Sequence, residues 1–243
     1  MTTNKTNGPV RGITFDFWRT LFRDAGSVER QQLRARSFAE VSGRSEEEVS
    51  AALRRSGERF FEHHITHMRT LEPHDAVRMV CEDLRVTLPD ADEKRMTEVF
   101  ATAIIEYSPV PIDGALEAVR QAAERAPVGI VSDSGLSPGS SLRVLLDRHG
   151  FTPYFKAIAF SDEVGVSKPQ ALMFETAARG MGLEPSQILH IGDLELTDIA
   201  GAKAIGAKAA LFAGDNARHL GATEADYTFT SWDEFIQLLP EIV

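Results

Sequence analysis

Ile13 and Phe15, flanked by further apolar residues, predict a short buried strand that runs straight into a carboxylate, Asp16. From Arg23 to Tyr107 the pattern is helical. Ser45-Glu46-Glu47-Glu48 has the form of a capping box, and Val49, Ala52, Leu53 and Phe60 supply the stripe behind it. Val77, Val80, Cys81 and Leu84 fall at i, i+3, i+4 and i+7 behind Pro73, which suits a helix start. Met96, Val99, Phe100, Ala103 and Ile104 repeat that spacing. Pro109-Val110-Pro111 stiffens the return, and Asp113 is expected to cap a helix through Leu116 and Val119. From Val128 onward short strands alternate with helices. Strands are predicted at Val128–Val131, Ala157–Phe160, Ile188–Ile191, Ala209–Phe212 and Tyr227–Phe229. Helices are predicted around Leu142–Leu146, from Pro169 to about Gly182, through an Ala-rich segment to Gly206, and over Trp232–Leu239. This alternation predicts an α/β fold with a doubly wound parallel sheet, interrupted after its first strand by an all-helical insert.

Composition narrows the function classes. The 243 residues are 43% hydrophobic, enough for a full core. No apolar run is long enough to span a membrane, and Met1 to Pro9 reads as a polar, flexible tail without the apolar heart of a signal peptide. The formal net charge is −10, with no Lys/Arg cluster of the kind nucleic acids require. An anionic substrate must therefore be drawn in by local groups or a metal. A single cysteine, Cys81, cannot pair within the chain, which fits a reducing cytoplasm.

Four polar segments each follow a predicted strand: Asp16-Phe17-Trp18-Arg19-Thr20, Ser132-Asp133, Ser167-Lys168-Pro169, and Gly192-Asp193 with Asp198 five residues beyond. In a parallel sheet such positions converge on one rim, where open α/β sheets hold ligands. Taken singly, each has a bland reading. Asp16 and Ser132 could cap turns, Lys168 could be a solvated helix-start lysine, and Asp198 could serve its helix dipole. In this order and spacing, the four segments resemble the haloacid dehalogenase-like (HAD) hydrolase superfamily. The resemblance implies a Rossmann-like core over residues 10–22 and 109–243, and a helical cap of the first type over residues 23–108. It implies that Asp16 is a nucleophile, that Ser132 and the backbone at Asp133 hold phosphoryl oxygens, and that Lys168 neutralises developing charge. Asp193, Asp16 and the main-chain carbonyl of Trp18 would ligate Mg²⁺, and Asp198 would anchor Lys168 or the metal's water shell. Arg19 and Thr20 are further candidates for substrate contact. The implied partner is a small phosphorylated metabolite, acted on by a monomer or homodimer.

Two positions depart from the family. Most of its phosphatases carry a second Asp two residues after the nucleophile, where this chain has Trp18. An indole cannot exchange protons near neutral pH. That exchange is typically worth about 10²–10⁴-fold, or roughly 3–5 kcal/mol of barrier. The following residue, usually Gly, is Arg19, whose cation could contact a substrate or point to solvent. The loss of the acid raises two rivals to phosphoester hydrolysis. One is 2-haloacid dehalogenation, in which the halide leaves without a proton. The other is a binding or scaffold role on a decayed enzyme fold. Gly192-Asp193 and Asp198 favour the metal-dependent phosphatase. His63 and His67 stand at i, i+4, a metal-holding spacing, but lack an evident third ligand; with His64 they read as solvated or substrate-facing imidazoles. His190 reads as a hydrogen-bonded core histidine.

Overall fold

Six parallel strands lie in the order β5-β4-β1-β6-β7-β8, in a computed structural model that describes residues 9–243. They are β1 (Gly12–Phe15), β4 (Val128–Ser132), β5 (Phe155–Phe160), β6 (Ile188–Gly192), β7 (Lys208–Phe212) and β8 (Tyr227–Phe229). The strand order reverses at β1, so the chain winds outward in both directions from it. That switch point is where an open α/β sheet forms its crevice.

The two-residue period of each strand distributes side chains between two helical layers. Ile13 and Phe15 of β1, with Ala210 and Phe212 of β7, face one layer. That layer contains α5 (Ala115–Ala123), α6 (Gly139–Arg148) and α10 (Trp232–Ile242). There Trp232 stacks on Phe212, with ring centroids 4.5 Å apart, and meets Phe15 and Phe235. Ala209 and Leu211 face the opposite layer, with Met173, Phe174 and Ala177 of α8 (Ala171–Met181) and Ala202 of α9 (Ala200–Ala204). A one-turn helix, α7 (Ser161–Val164), follows β5.

Between Arg23 and Val110 the chain makes four helices: α1 (Ser27–Ser42), α2 (Glu46–His67), α3 (Pro73–Leu84) and α4 (Asp90–Glu106). They bury an apolar cluster of their own, with Phe38, Val49, Ala52, Val77, Val80, Met96 and Phe100 inside. The capping box at Ser45 forms as expected: Ser45 Oγ accepts from Glu48 N, and Glu48 Oε2 accepts from Ser45 N. The connections into and out of these helices, β2 (Phe22–Arg23) and β3 (Val110–Pro111), pair with each other as an antiparallel ribbon.

Several boundaries differ from expectation. Asp113 does not cap α5; Gly114 takes the N-cap position in a left-handed conformation (φ 80°), which a glycine adopts without steric cost. Pro169 precedes α8 by two residues, with Gln170 as N-cap. The Ala-rich helix starts later than its composition suggests, after a wide π-type turn at Glu195–Ile199. Of the tail expected over residues 1–9, the first eight lie outside the described residues; Pro9 is exposed and Val10 is buried.

Candidate active site

β1 delivers Asp16 to the rim of the sheet. Its backbone N–H continues the ladder by donating to Ile191 of β6 at 2.8 Å. Ser132 ends β4, and Gly192-Asp193 ends β6. Asp198 returns to the same rim because the turn at Glu195–Ile199 folds it back on Gly192. A Cβ on Gly192 would lie 2.2 Å from Asp198 Cγ, so only glycine fits beneath that carboxylate. Lys168 arrives from the segment between α7 and α8. Asp16, Lys168, Asp193 and Asp198 meet there, and Ser132 ends the neighbouring strand with its hydroxyl on the Phe17 N–H.

Lys168 Nζ donates to Asp16 Oδ1 at 2.7 Å and to Asp198 Oδ1 at 2.5 Å, with all three groups buried. His190 Nε2 lies 3.0 Å from Asp198 Oδ1, and its Nδ1 lies 3.0 Å from Thr14 Oγ1. Asp198 Oδ2 accepts from Leu194 N. Both Asp198 oxygens are thus engaged in holding Lys168, His190 and the turn. Asp193 Oδ2 accepts from Asn216 Nδ2 at 2.7 Å. Asp16 Oδ2 and Asp193 Oδ1 have no hydrogen-bond partner among the described residues. Ser132 Oγ accepts from Phe17 N at 3.3 Å. The Asp133 carboxylate accepts from Lys168 N at 2.9 Å and stands 3.4 Å from His64 Nε2.

Burial dominates the electrostatics. It pushes the Asp16 carboxyl up to about 7; Lys168 pulls the other way, while Asp198 and Asp193 add to the rise. Burial and Asp198 likewise raise Asp193. Burial opposes the charge of Lys168, yet Asp16 and Asp198 overcome it and hold the ammonium above its usual range. Asp198 is also buried, but Lys168 and His190 keep its carboxyl well below the usual range. Burial lowers His190, with Asp198 pulling the other way. Oxygens of Asp16, Asp193 and Asp198 lie within 4.8 Å of one another. Three acids against one ammonium leave a negative surplus in a buried place, and hard oxygen donors in such a cluster suit a divalent cation. The donor set therefore fits Mg²⁺.

The remaining candidates lie as follows. Trp18 packs edge-on to Phe17 at 5.1 Å and lines a cavity of about 840 Å³ between the helical insert and the sheet rim. Asp133, Ser134 and Leu194 line the same cavity. Arg19 takes a left-handed conformation (φ 56°), as the glycine usual there would. Its Nε donates to Asp215 at 3.1 Å, and Arg23 donates to the other oxygen of that carboxylate at 2.7 Å. Its side chain is half-exposed and tied to the segment after β7. Thr20 is buried, and its hydroxyl has no partner among the described residues. The rings of His63 and His67 touch, while His64 lines the cavity, with Nδ1 3.3 Å from Thr70 Oγ1.

Asn216 escaped the sequence reading, as did the bond from His64 to Asp133. Asn216 sits in a loop after β7, and nothing in the local pattern there sets it apart from an ordinary turn residue. His64 had a weak signal in its neighbours at 63 and 67, but the spacing pointed to a metal, not to a partner across the cavity.

Known proteins share sequence or fold with this chain. The chain is 32% identical over 108 residues to the pyrimidine 5'-nucleotidase YjjG of Escherichia coli, covering 44% of this chain and 46% of that one. It thus spans less than half the length of that relative. Its fold matches 2-haloacid dehalogenase from Pseudomonas syringae (TM-score 0.71, 18% identity, 96% of this chain and 100% of that one). It also matches YfnB from Bacillus subtilis, a HAD hydrolase bound to magnesium (TM-score 0.68, 18% identity, 96% and 99% covered). With a family model matching residues 10–206 on top of the converged acids, the chain belongs to the haloacid dehalogenase-like hydrolases.

Proposed function

We propose that this hydrolase is a Mg²⁺-dependent phosphatase acting on a small phosphorylated metabolite through Asp16. The observation that carries the reading is the buried surplus of carboxylate around Lys168, with one free oxygen each on Asp16 and Asp193. Asp16, Asp193 and the Trp18 carbonyl would hold the ion, which when bound offsets the charge between carboxylate and phosphate and fixes an in-line approach. The bonds Asp198 already makes favour its anchoring role over direct ligation. The magnesium in the YfnB structure is consistent with this set.

Lys168 fixes the Asp16 carboxylate through Oδ1, and one oxygen of that carboxylate attacks phosphorus. The new Asp16 O–P bond replaces the ester P–O bond, and the alcohol departs as an oxyanion. Ser132 and the backbone at Asp133 orient the phosphoryl oxygens. Water then attacks phosphorus, releases phosphate and restores Asp16. No carboxylic acid stands at position 18 to protonate the leaving group, so esters with acidic alcohols react fastest. The helices over residues 23–108 act as a cap of the first type that closes over residues 10–22 and 109–243, excluding water and selecting substrate. The lone cysteine supports a cytoplasmic setting.

One observation favours a second reading, 2-haloacid dehalogenation: an aromatic residue stands where a phosphatase acid would. There Asp16 would attack carbon and expel halide. The two are separated by assaying an aryl phosphate with Mg²⁺ and a 2-haloacid in EDTA. We expect Mg²⁺-dependent phosphate release that disappears in Asp16→Asn. Halide release in EDTA with no phosphatase activity would overturn the reading in favour of the dehalogenase.

A further inference from the structure

The buried face of α1 carries two arginines one turn apart. Arg30 and Arg34 are 6% and 4% exposed, on the stripe that continues to Phe38. Burying a guanidinium is costly unless its charge is met. Arg30 is fully met: it donates to Asp24 and to the carbonyls of Ala25 and Tyr107. Arg34 is not. Its Nη2 donates to the Phe100 carbonyl at 3.1 Å, and its guanidinium lies 5.6 Å from the centre of the Phe100 ring. Its Nε is buried without a partner, and no carboxylate among the described residues comes within ion-pair distance of it. Burial and the like charge of Arg30 pull the guanidinium down to about 10, a sign of how poorly its charge is met.

Both arginines line the cavity that also exposes Trp18 and Asp133. Three arginines (Arg30, Arg34 and Arg218) and two aspartates (Asp24 and Asp133) line it, in a chain whose net charge is −10. Asp24 is taken by Arg30, and Asp133 by Lys168 N and His64. The cationic surplus therefore falls on the helical side of the cavity, across from the acids of the sheet rim.

We infer that Arg34, supported by Arg30, is an anion subsite, and that the substrate carries a second negatively charged group, a carboxylate or a second phosphate, besides the phosphoryl group presented to Asp16. The inference rests on the phosphatase reading only for the identity of the reacting end. A planar guanidinium with unused donors matches carboxylate and phosphate oxygens. Trp18 and Phe60 line the same cavity and offer apolar surface to a carbon skeleton.

The test compares ω-carboxyalkyl phosphates with n-alkyl phosphates of matched length, and adds alkanediol bisphosphates to separate carboxylate from phosphate. The readout is the ratio of kcat/KM between dianionic-ended and plain esters. We expect the wild type to favour one of the two-anion series, and Arg34→Gln to shrink that preference roughly tenfold or more, chiefly through KM. Arg34→Lys should restore part of it. A purely structural arginine would depress all series alike, and an unchanged ratio in Arg34→Gln overturns the inference. Calorimetry with ω-phosphonocarboxylates and alkylphosphonates repeats the comparison without turnover. A carboxylate-dependent gain in affinity that Arg34→Gln removes supports the subsite even if no ester is hydrolysed. Equal affinities for the two phosphonates in the wild type would sink it.

Discussion

Lys168 has two carboxylates on its ammonium and almost no water, so its removal leaves Asp16 and Asp198 as buried acids with nothing between them. Stripping one partner from a buried ionic cluster typically costs about 3–5 kcal/mol. Lys168→Met should show a loss of that order in urea unfolding; a stability within experimental error of wild type would mean that the cluster is solvated. Trp18→Asp works in the opposite direction on rate. It places a carboxylic acid two residues after Asp16 and, on the phosphatase reading, should raise kcat on alkyl phosphates by up to about 10²–10⁴-fold, with little gain on aryl phosphates whose leaving groups need no proton. Asp16, Ser132 and Asp193 were legible because each stands at the end of an apolar strand, and strand ends of a parallel sheet share one rim; Lys168 and Asp198, which reach that rim from a loop and a turn, were legible only through the order and spacing of the four segments. Asn216 and Arg34 were not legible. One approaches from a loop 23 positions beyond Asp193, the other sits on the buried stripe of α1, where the apolar spacing leads one to expect a hydrophobic side chain.

At the scale of the element, Gly192 joins β6 to the turn that carries Asp198. Gly192→Ala forces a methyl group into the Asp198 carboxylate. Overpacking of this kind costs about 1–3 kcal/mol or more, and the displaced carboxylate would release Lys168. The melting temperature and kcat should fall together, which separates this change from one that only loosens packing. Ser45→Ala removes half of the capping box of α2 and should cost about 1 kcal/mol in thermal unfolding, with no direct effect on the site. Most elements were legible from periodicity: the capping box, the Pro73 start, and the strands that alternate between layers. The misses share a cause. Gly114 as cap, the wide turn before α9 and the ribbon of β2 with β3 are set by backbone conformation and distant pairing, which no local apolar pattern encodes.

Across the whole molecule, three apolar clusters divide the work: two flank the sheet, and the third lies inside the four inserted helices. The insert meets the sheet rim partly through polar contacts. Thr70 Oγ1 lies 2.6 Å from Ser161 Oγ, the Met68 carbonyl accepts from Ser167 N and Gln170 Nε2, and His64 faces Asp133. Contacts of this kind are exchanged with water at little net cost, whereas a buried apolar cluster is not. Hydrogen exchange should therefore find the amides of α2 near His64 opening before those of β1 and β4. Thr70→Val should speed the former and leave the latter unchanged; uniform exchange across both would show a single cooperative unit. The paired strands β2 and β3 carry a consequence of their own. The polypeptide leaves and rejoins the sheet at two neighbouring points, so the excursion between them can be cut out and its stumps joined by a tight hairpin, or a foreign excursion grafted in, without re-threading the remainder. On the proposed reading, chemistry and choice of substrate are thereby held in separately exchangeable parts of one chain.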